Sequence, residues 1–280
     1  MKYGTLVRIP ENCDLKLTCE EKFAMVKEMG LESCQLVYKP KFYTDEAADI
    51  IRETAEKYGV EISAQFCGYY DKLAVNDSFS HRLVGINSPF FGASRIEYLL
   101  SAIPFLKRLG ITDMIIHAGH FSNDPYAEDY INMRCAAGLV AKKLAKEGLN
   151  LLFETGAEAP IALLRLIKDI GTDNVFINLD TANVILYGNG NPVDALYTFG
   201  QYVRNVHAKD GLPPTDPNKL GEEVTIGSGY VDFEKVFRSL RDLGYDRFIT
   251  IERELKGGDQ SQAITEAVEY LKTVQGHYYN

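Results

Sequence analysis

Glu154, Asp180, His207 and Glu252 are residue types that hold divalent cations or move protons, and each closes a short apolar run: NLLFE, INLD, VRNVH and ITIE. They lie too far apart in the chain to share a local turn. In a parallel barrel, however, neighbouring strand ends stand side by side at the C-terminal mouth, and one polar group from each of four adjacent strands converges on a point there. Three carboxylates so close together repel, and a divalent cation is the simplest way to keep them all ionised. Three oxygen donors and one imidazole form a harder set than the thiolates of a structural zinc site, which favours Mn²⁺, Mg²⁺ or Co²⁺.

Other polar residues stand near these strand ends. The fourth apolar run closes in IIHAGH, with His117 at its end and His120 in the loop beyond. For His117 three roles stay open: a fifth ligand, a partner of a carboxylate, or a hydrogen bond to substrate. Lys209 follows His207 by two residues, so the period of a strand turns it the same way, to fix a substrate oxygen or phosphate unless it is simply a surface lysine. Glu158 opens the helix after Glu154, where it either complements the helix dipole or reaches a sugar hydroxyl. Asn183, in DTAN, either contacts substrate or braces Asp180. The glycines of TIGSGYVDF would let backbone approach a ligand, a weak signal on its own. His81 and His277 read as solvated. The aromatic residues Phe66, Tyr69, Tyr70, Phe79, Phe90 and Phe91 either stack on a sugar face or pack over the barrel top, and packing is preferred. Neither a GxSxG nucleophile elbow nor a P-loop occurs.

Eight βα units must position these residues. Strands are expected at 4–9, 33–38, 60–66, 112–118, 149–154, 175–180, 203–208 and 247–252, with segments of helical period between them, most ending in Gly. The spacing predicts a single (β/α)₈ TIM barrel over residues 1–280, one domain, with extended βα loops after strands 3 and 7 (residues 67–94 and 211–230). The length of 280 residues suits one such barrel. A doubly wound sheet would have fewer strands and a Gly-rich turn after the first. One continuous helix is expected over 94–110.

Composition narrows the partners. With 46% hydrophobic and 25% charged residues the chain is neither disordered nor fibrous. Lys and Arg number 30 against 39 Asp and Glu, a net charge of −9 that repels a nucleic acid backbone. Five scattered cysteines without a CxxC pair imply reduced thiols in a cytoplasmic protein. No apolar stretch is long enough for a membrane span. No nucleic acid and no membrane are therefore expected as partners, and a homo-oligomer stays open.

Together LLFETG, INLDTANVILYGNGNPVDAL, VRNVHAKDG, VTIGSGYVDF and ITIERE resemble the sugar phosphate isomerase/epimerase family with the xylose isomerase-like barrel, which includes the D-tagatose and D-psicose 3-epimerases. The resemblance implies one divalent ion, Mn²⁺ first with Mg²⁺, Co²⁺ or Zn²⁺ as alternatives, bound by Glu154, Asp180, His207 and Glu252. It also implies a small-molecule carbohydrate substrate, whose proton Glu154 and Glu252 exchange. The resemblance departs where the best-understood epimerases carry a His three residues after the metal Asp and an Arg-bearing loop after the metal His; Asn183, Lys209 and Asp210 stand there instead. Three activities are weighed: epimerase or isomerase through an enediolate, dehydratase or 3-oxo-glycoside lyase at the same metal site, and an endonuclease IV-like repair enzyme. The last is disfavoured by the acidic charge and the missing His.

Overall fold

The computed structural model describes residues 1–68, 83, 85–255 and 260–279. Tyr69, Tyr70, Phe79 and His81 lie outside the described residues. Among them run ten strands: β1 (Lys2–Ile9), β2 (Ser33–Tyr38), β3 (Glu61–Phe66), β4 (Asp113–His117), β5 (Asn150–Glu154), β6 (Val175–Asp180), β7 (Val203–Ala208), β8 (Asp210–Leu212), β9 (Glu222–Val224) and β10 (Phe248–Ile251). Ten α-helices alternate with them: α1 (Leu15–Glu28), α2 (Asp45–Tyr58), α3 (Gly92–Ser101), α4 (Ile103–Leu109), α5 (Glu128–Ala145), α6 (Pro160–Ile170), α7 (Asn183–Leu186), α8 (Pro192–Phe199), α9 (Phe233–Asp242) and α10 (Gln260–Gly276).

Eight of the strands close a parallel barrel in the order β1, β10, β7, β6, β5, β4, β3, β2. This is the TIM barrel that the spacing predicts, and it makes β5, β6, β7 and β10 consecutive neighbours. The helices form for local reasons. Thr44 caps α2 by accepting from Ala47 N, and Gly59 ends it in the left-handed conformation. On α6, Leu163, Leu166, Ile167 and Ile170 recur at helical spacing, so one stripe is buried against the barrel wall.

Two expectations change. The helix expected over 94–110 is two, α3 and α4, which meet at Ala102. Pro104 has no N–H to continue the ladder and sits in the first turn of α4, where none is needed. The long loop after β7 is not structureless, because β8 and β9 pair antiparallel within it.

The apolar core lies between barrel and helices, whereas the barrel interior is largely polar. Gln35, Gln65, Asn178, Asn205 and Thr250 are all fully buried there. Ala64, Phe66, Ile115 and Leu152, with Val37 and Phe176 packed against them, form a small apolar cluster apart from the main core. Buried amides are tolerable when they bond to each other, as Gln35 Nε2 does to Asn178 Oδ1 at 3.0 Å. All five cysteines are free thiols. Among the described residues no helix is long and apolar enough to cross a membrane.

Candidate functional site

Strand register brings the chemistry together. His117 pairs with Glu154 across β4 and β5, Asp180 with His207 across β6 and β7, and Thr250 with His207 across β10 and β7. Glu252 follows just beyond β10, its N–H donating to Ala208 O at 3.2 Å. As a result, Glu154, Asp180, His207 and Glu252 are all buried and each offers a ligand atom within 4.8 Å of the others.

Each donor is aimed by its surroundings. Asp180 Oδ1 accepts from Ala182 N at 2.8 Å and Asn183 N at 2.7 Å, so the turn after β6 clamps this carboxylate by one oxygen. Its other oxygen, Oδ2, accepts no hydrogen bond although it is buried. His207 Nδ1 lies 2.8 Å from Glu154 Oε1 and 3.1 Å from Glu252 Oε2. His117 Nε2 lies 3.1 Å from Glu154 Oε2. An unbonded carboxylate oxygen, two further carboxylates and an imidazole nitrogen around one point fit a hard divalent cation, which satisfies all of them at once.

Charge is partly balanced within the protein itself. Lys209, almost wholly buried, has its Nζ 2.5 Å from Glu254 Oε2, 3.5 Å from Glu252 Oε2 and 3.7 Å from Asp180 Oδ2. Burial alone would lower its pKa, but Glu252, Asp180 and Glu254 outweigh that and hold the ammonium firmly charged. Likewise burial disfavours the His207 imidazolium, yet the Glu252 and Glu154 carboxylates push its pKa up to about 10. Burial lifts Asp180 above the usual carboxylate range, and Lys209 and His207 overcome burial to hold Glu252 below it.

Through Glu252 the quartet borders a cavity of about 480 Å³, the size of a small-ligand site. Its wall includes Arg8, Lys39, Phe66, His117, Lys209 and Glu252. Phe66 therefore lines the cavity, stacked at 6.3 Å on His207 and edge-on at 5.3 Å to His117, while Phe90 faces solvent. Asn183 also lines it, but its amide donates to Thr155 O at 2.9 Å and so ties the β5 and β6 ends together. His120 is brought to a different cavity, beside Phe121 and Asn189. Arg8, Lys39 and Tyr187 line the cavity without any sequence signal, since a cation after an apolar run marks no site by itself.

Glu158 is buried beside the quartet, and its Oε2 accepts from Gly156 N at 3.0 Å. Burial raises its pKa from 4.5 to about 7, with Glu154 adding to the effect. A folded-state value above the unfolded one favours the protonated fold. That stability is fully present below the unfolded pKa and is lost as pH rises through about 7. Between pH 4.5 and 7 the metal-free wild type should therefore lose about 3 kcal/mol relative to Glu158→Gln, read by urea unfolding across that range. Parallel stability curves for the two proteins would refute this.

The glycines of TIGSGYVDF serve a side chain of the protein. The buried Asp210 carboxylate accepts four backbone N–H groups: Gly211 at 2.9 Å and Val231 at 3.0 Å on Oδ1, and Gly227 and Gly229, each at 2.9 Å, on Oδ2. A Cβ at Gly229 would collide with Asp210 Oδ1, and Gly227 holds a φ of +88°. Glycine is required at both places, one for close approach and one for the left-handed backbone.

Comparison with known proteins agrees with this geometry. Over 137 residues the chain is 26% identical to inosose dehydratase from Clostridium botulinum, covering 45% of this chain and 43% of that protein. The chain spans less than half the length of the curated relatives it matches first. A xylose isomerase domain protein from Planctomyces limnophilus superposes with a TM-score of 0.87 at 25% identity, over 99% of this chain and 97% of the other. A solved L-ribulose 3-epimerase superposes with a TM-score of 0.74 at 18% identity, over 99% and 95%, which shows the shared fold. Residues 23–274 match the profile of the xylose isomerase-like TIM barrel, and with eight parallel strands closed around this mouth the chain belongs to that family.

Proposed function

We propose that this chain, acting as one barrel domain, is a metal-dependent epimerase or isomerase of a ketose or sugar derivative. The observation that carries the reading is the meeting of Glu154 and Glu252 at one His207 nitrogen, with the unbonded Asp180 Oδ2 beside them. With Asp180 and His207, these carboxylates would hold one divalent cation, Mn²⁺ first among the hard ions. When bound, such an ion would lend positive charge to a sugar carbonyl and its neighbouring hydroxyl, acidifying the C–H of the hydroxyl-bearing carbon.

The protein's own groups do the rest. One of Glu154 and Glu252 takes that proton, and the other returns a proton on the opposite face, inverting the carbon or moving the carbonyl. Between the two transfers the sugar is an enediolate. Asp180, clamped by its turn, keeps its place without moving protons. His117, 3.1 Å from Glu154 Oε2 and open to the cavity, orients a substrate oxygen, and the Lys209 ammonium stabilises negative charge on another.

A second reading is favoured by Lys209 and by the dehydratase relatives. A buried ammonium 3.5 Å from Glu252 Oε2 also stabilises a departing β-hydroxyl, which would turn the same enediolate toward elimination. Incubating the protein with Mn²⁺, ketoses and inososes in D₂O separates the two. Deuterium at carbon without other change of formula is the expected result, and loss of water would assign elimination. Chelation with EDTA should abolish either reaction, and added Mn²⁺ should restore it; full activity in the chelated protein would remove the metal from the account.

A further inference from the structure

Gln35 is wholly buried in the middle of β2, paired in register with Leu6 of β1 and one inward step below Val37, which lines the cavity. Its side chain crosses the barrel interior. Nε2 donates to Asn178 Oδ1 at 3.0 Å, and Oε1 lies 2.6 Å from His207 Nε2. No step of the proposed reaction uses this residue.

We infer that Gln35 is the positioning residue that decides which nitrogen His207 offers to the cation. An amide oxygen only accepts, so its contact keeps a proton on Nε2 and leaves Nδ1 facing Glu154 and Glu252. With Asn178 in place, turning the amide over would set an NH₂ against the Nε2 proton and an oxygen against Asn178 Oδ1, two repulsive contacts in place of two bonds. The Phe66 ring, stacked at 20° to the imidazole, blocks the ring from swinging aside. Asn178, Gln35 and His207 thus form one chain of hydrogen bonds across the barrel interior, with the Gln35 oxygen set against the imidazole. Outer partners of this kind set the ring orientation of a ligating histidine.

This inference rests on the metal reading of His207, and its test separates the two. Mn²⁺ affinity is measured by titration for wild type, Gln35→Leu and Gln35→Glu. ¹⁵N-histidine NMR of the Zn²⁺-loaded wild type identifies the bound nitrogen. The expected results are Nδ1 bound and Nε2 protonated in the wild type, and an affinity about 10–100-fold weaker in a Gln35→Leu protein that still folds, with a lowered melting temperature. Gln35→Glu should stay close to wild type, because a carboxylate still accepts from Nε2 and Asn178 Nδ2, unbonded in the wild type, can turn to donate to it. Nε2 bound to metal in the wild type overturns the inference, as does wild-type affinity in Gln35→Leu. If Gln35→Leu fails to fold, the wild-type spectrum together with a large affinity loss in Gln35→Glu decides against it. A wild type that takes up neither ion sinks the metal reading itself.

Discussion

Glu154→Gln is expected to lower turnover by roughly 10³-fold or more at saturating Mn²⁺, while the protein stays folded and still binds sugar. Proton transfer by a positioned side chain is worth about 10²–10⁴-fold. The substitution keeps the shape of the side chain but removes both its basicity and one negative charge from the quartet. Glu154 Oε1 is the closer of the two carboxylate contacts of His207 Nδ1, so its charge also supports the proposed cation. The check is deuterium incorporation from D₂O, measured with metal in excess so that weakened metal binding does not masquerade as lost catalysis. Unchanged exchange in Glu154→Gln would refute the acid/base assignment, whatever the affinity for Mn²⁺.

Asp210→Ala should be among the most destabilising substitutions outside the apolar core. Its carboxylate accepts four backbone N–H groups from the segment between β7 and α9, and alanine can accept none. A buried donor left without a partner costs about 1–3 kcal/mol. Two of the four, Gly211 and Val231, are in fully buried bonds, whereas Gly227 and Gly229 are partly open and can turn to water. The two buried donors together come to about 2–6 kcal/mol, or a fall in melting temperature of about 10 °C for a chain of this size. Asp210→Asn should lie between, since one amide oxygen survives. Thermal unfolding followed by circular dichroism measures both, and an unmoved midpoint in Asp210→Ala would show that the loop holds itself without this carboxylate. The effect extends to the site, because β9 carries Glu223, which accepts from Glu254 N at 3.1 Å and so sits behind Lys209's carboxylate partner.

The barrel and its four acidic and imidazole ligand candidates were legible in the order of residues. Each candidate stands at or beside the end of a short apolar run, and barrel closure is a rule about neighbours that spacing alone satisfies. The placing of Phe66 against the site and the split between α3 and α4 were less visible: the first depends on ring contacts with His117 and His207 from other strands, the second on one proline within an otherwise helical period. His120 was drawn to the site by nearness in sequence to His117, yet the loop after β4 carries it to another cavity. The glycines after β7 looked available to a ligand, but Asp210 already occupies their N–H groups.

What the sequence by itself determined is therefore the periodic part: strand and helix alternation, closure into a barrel, and the polar residues at or beside the ends of β5, β6, β7 and β10. These follow from local rules of period and capping that act within a few residues. Only the tertiary structure decided what meets what. Gln35 lies inside an unremarkable run, SCQLVY, and touches His207 across 172 positions of chain. Lys209 looks like any lysine after a strand until three carboxylates surround it. Hydrogen bonds and charges act over a few ångströms in space, whatever the separation along the chain, so the aiming and charging of the site become visible once the barrel has closed.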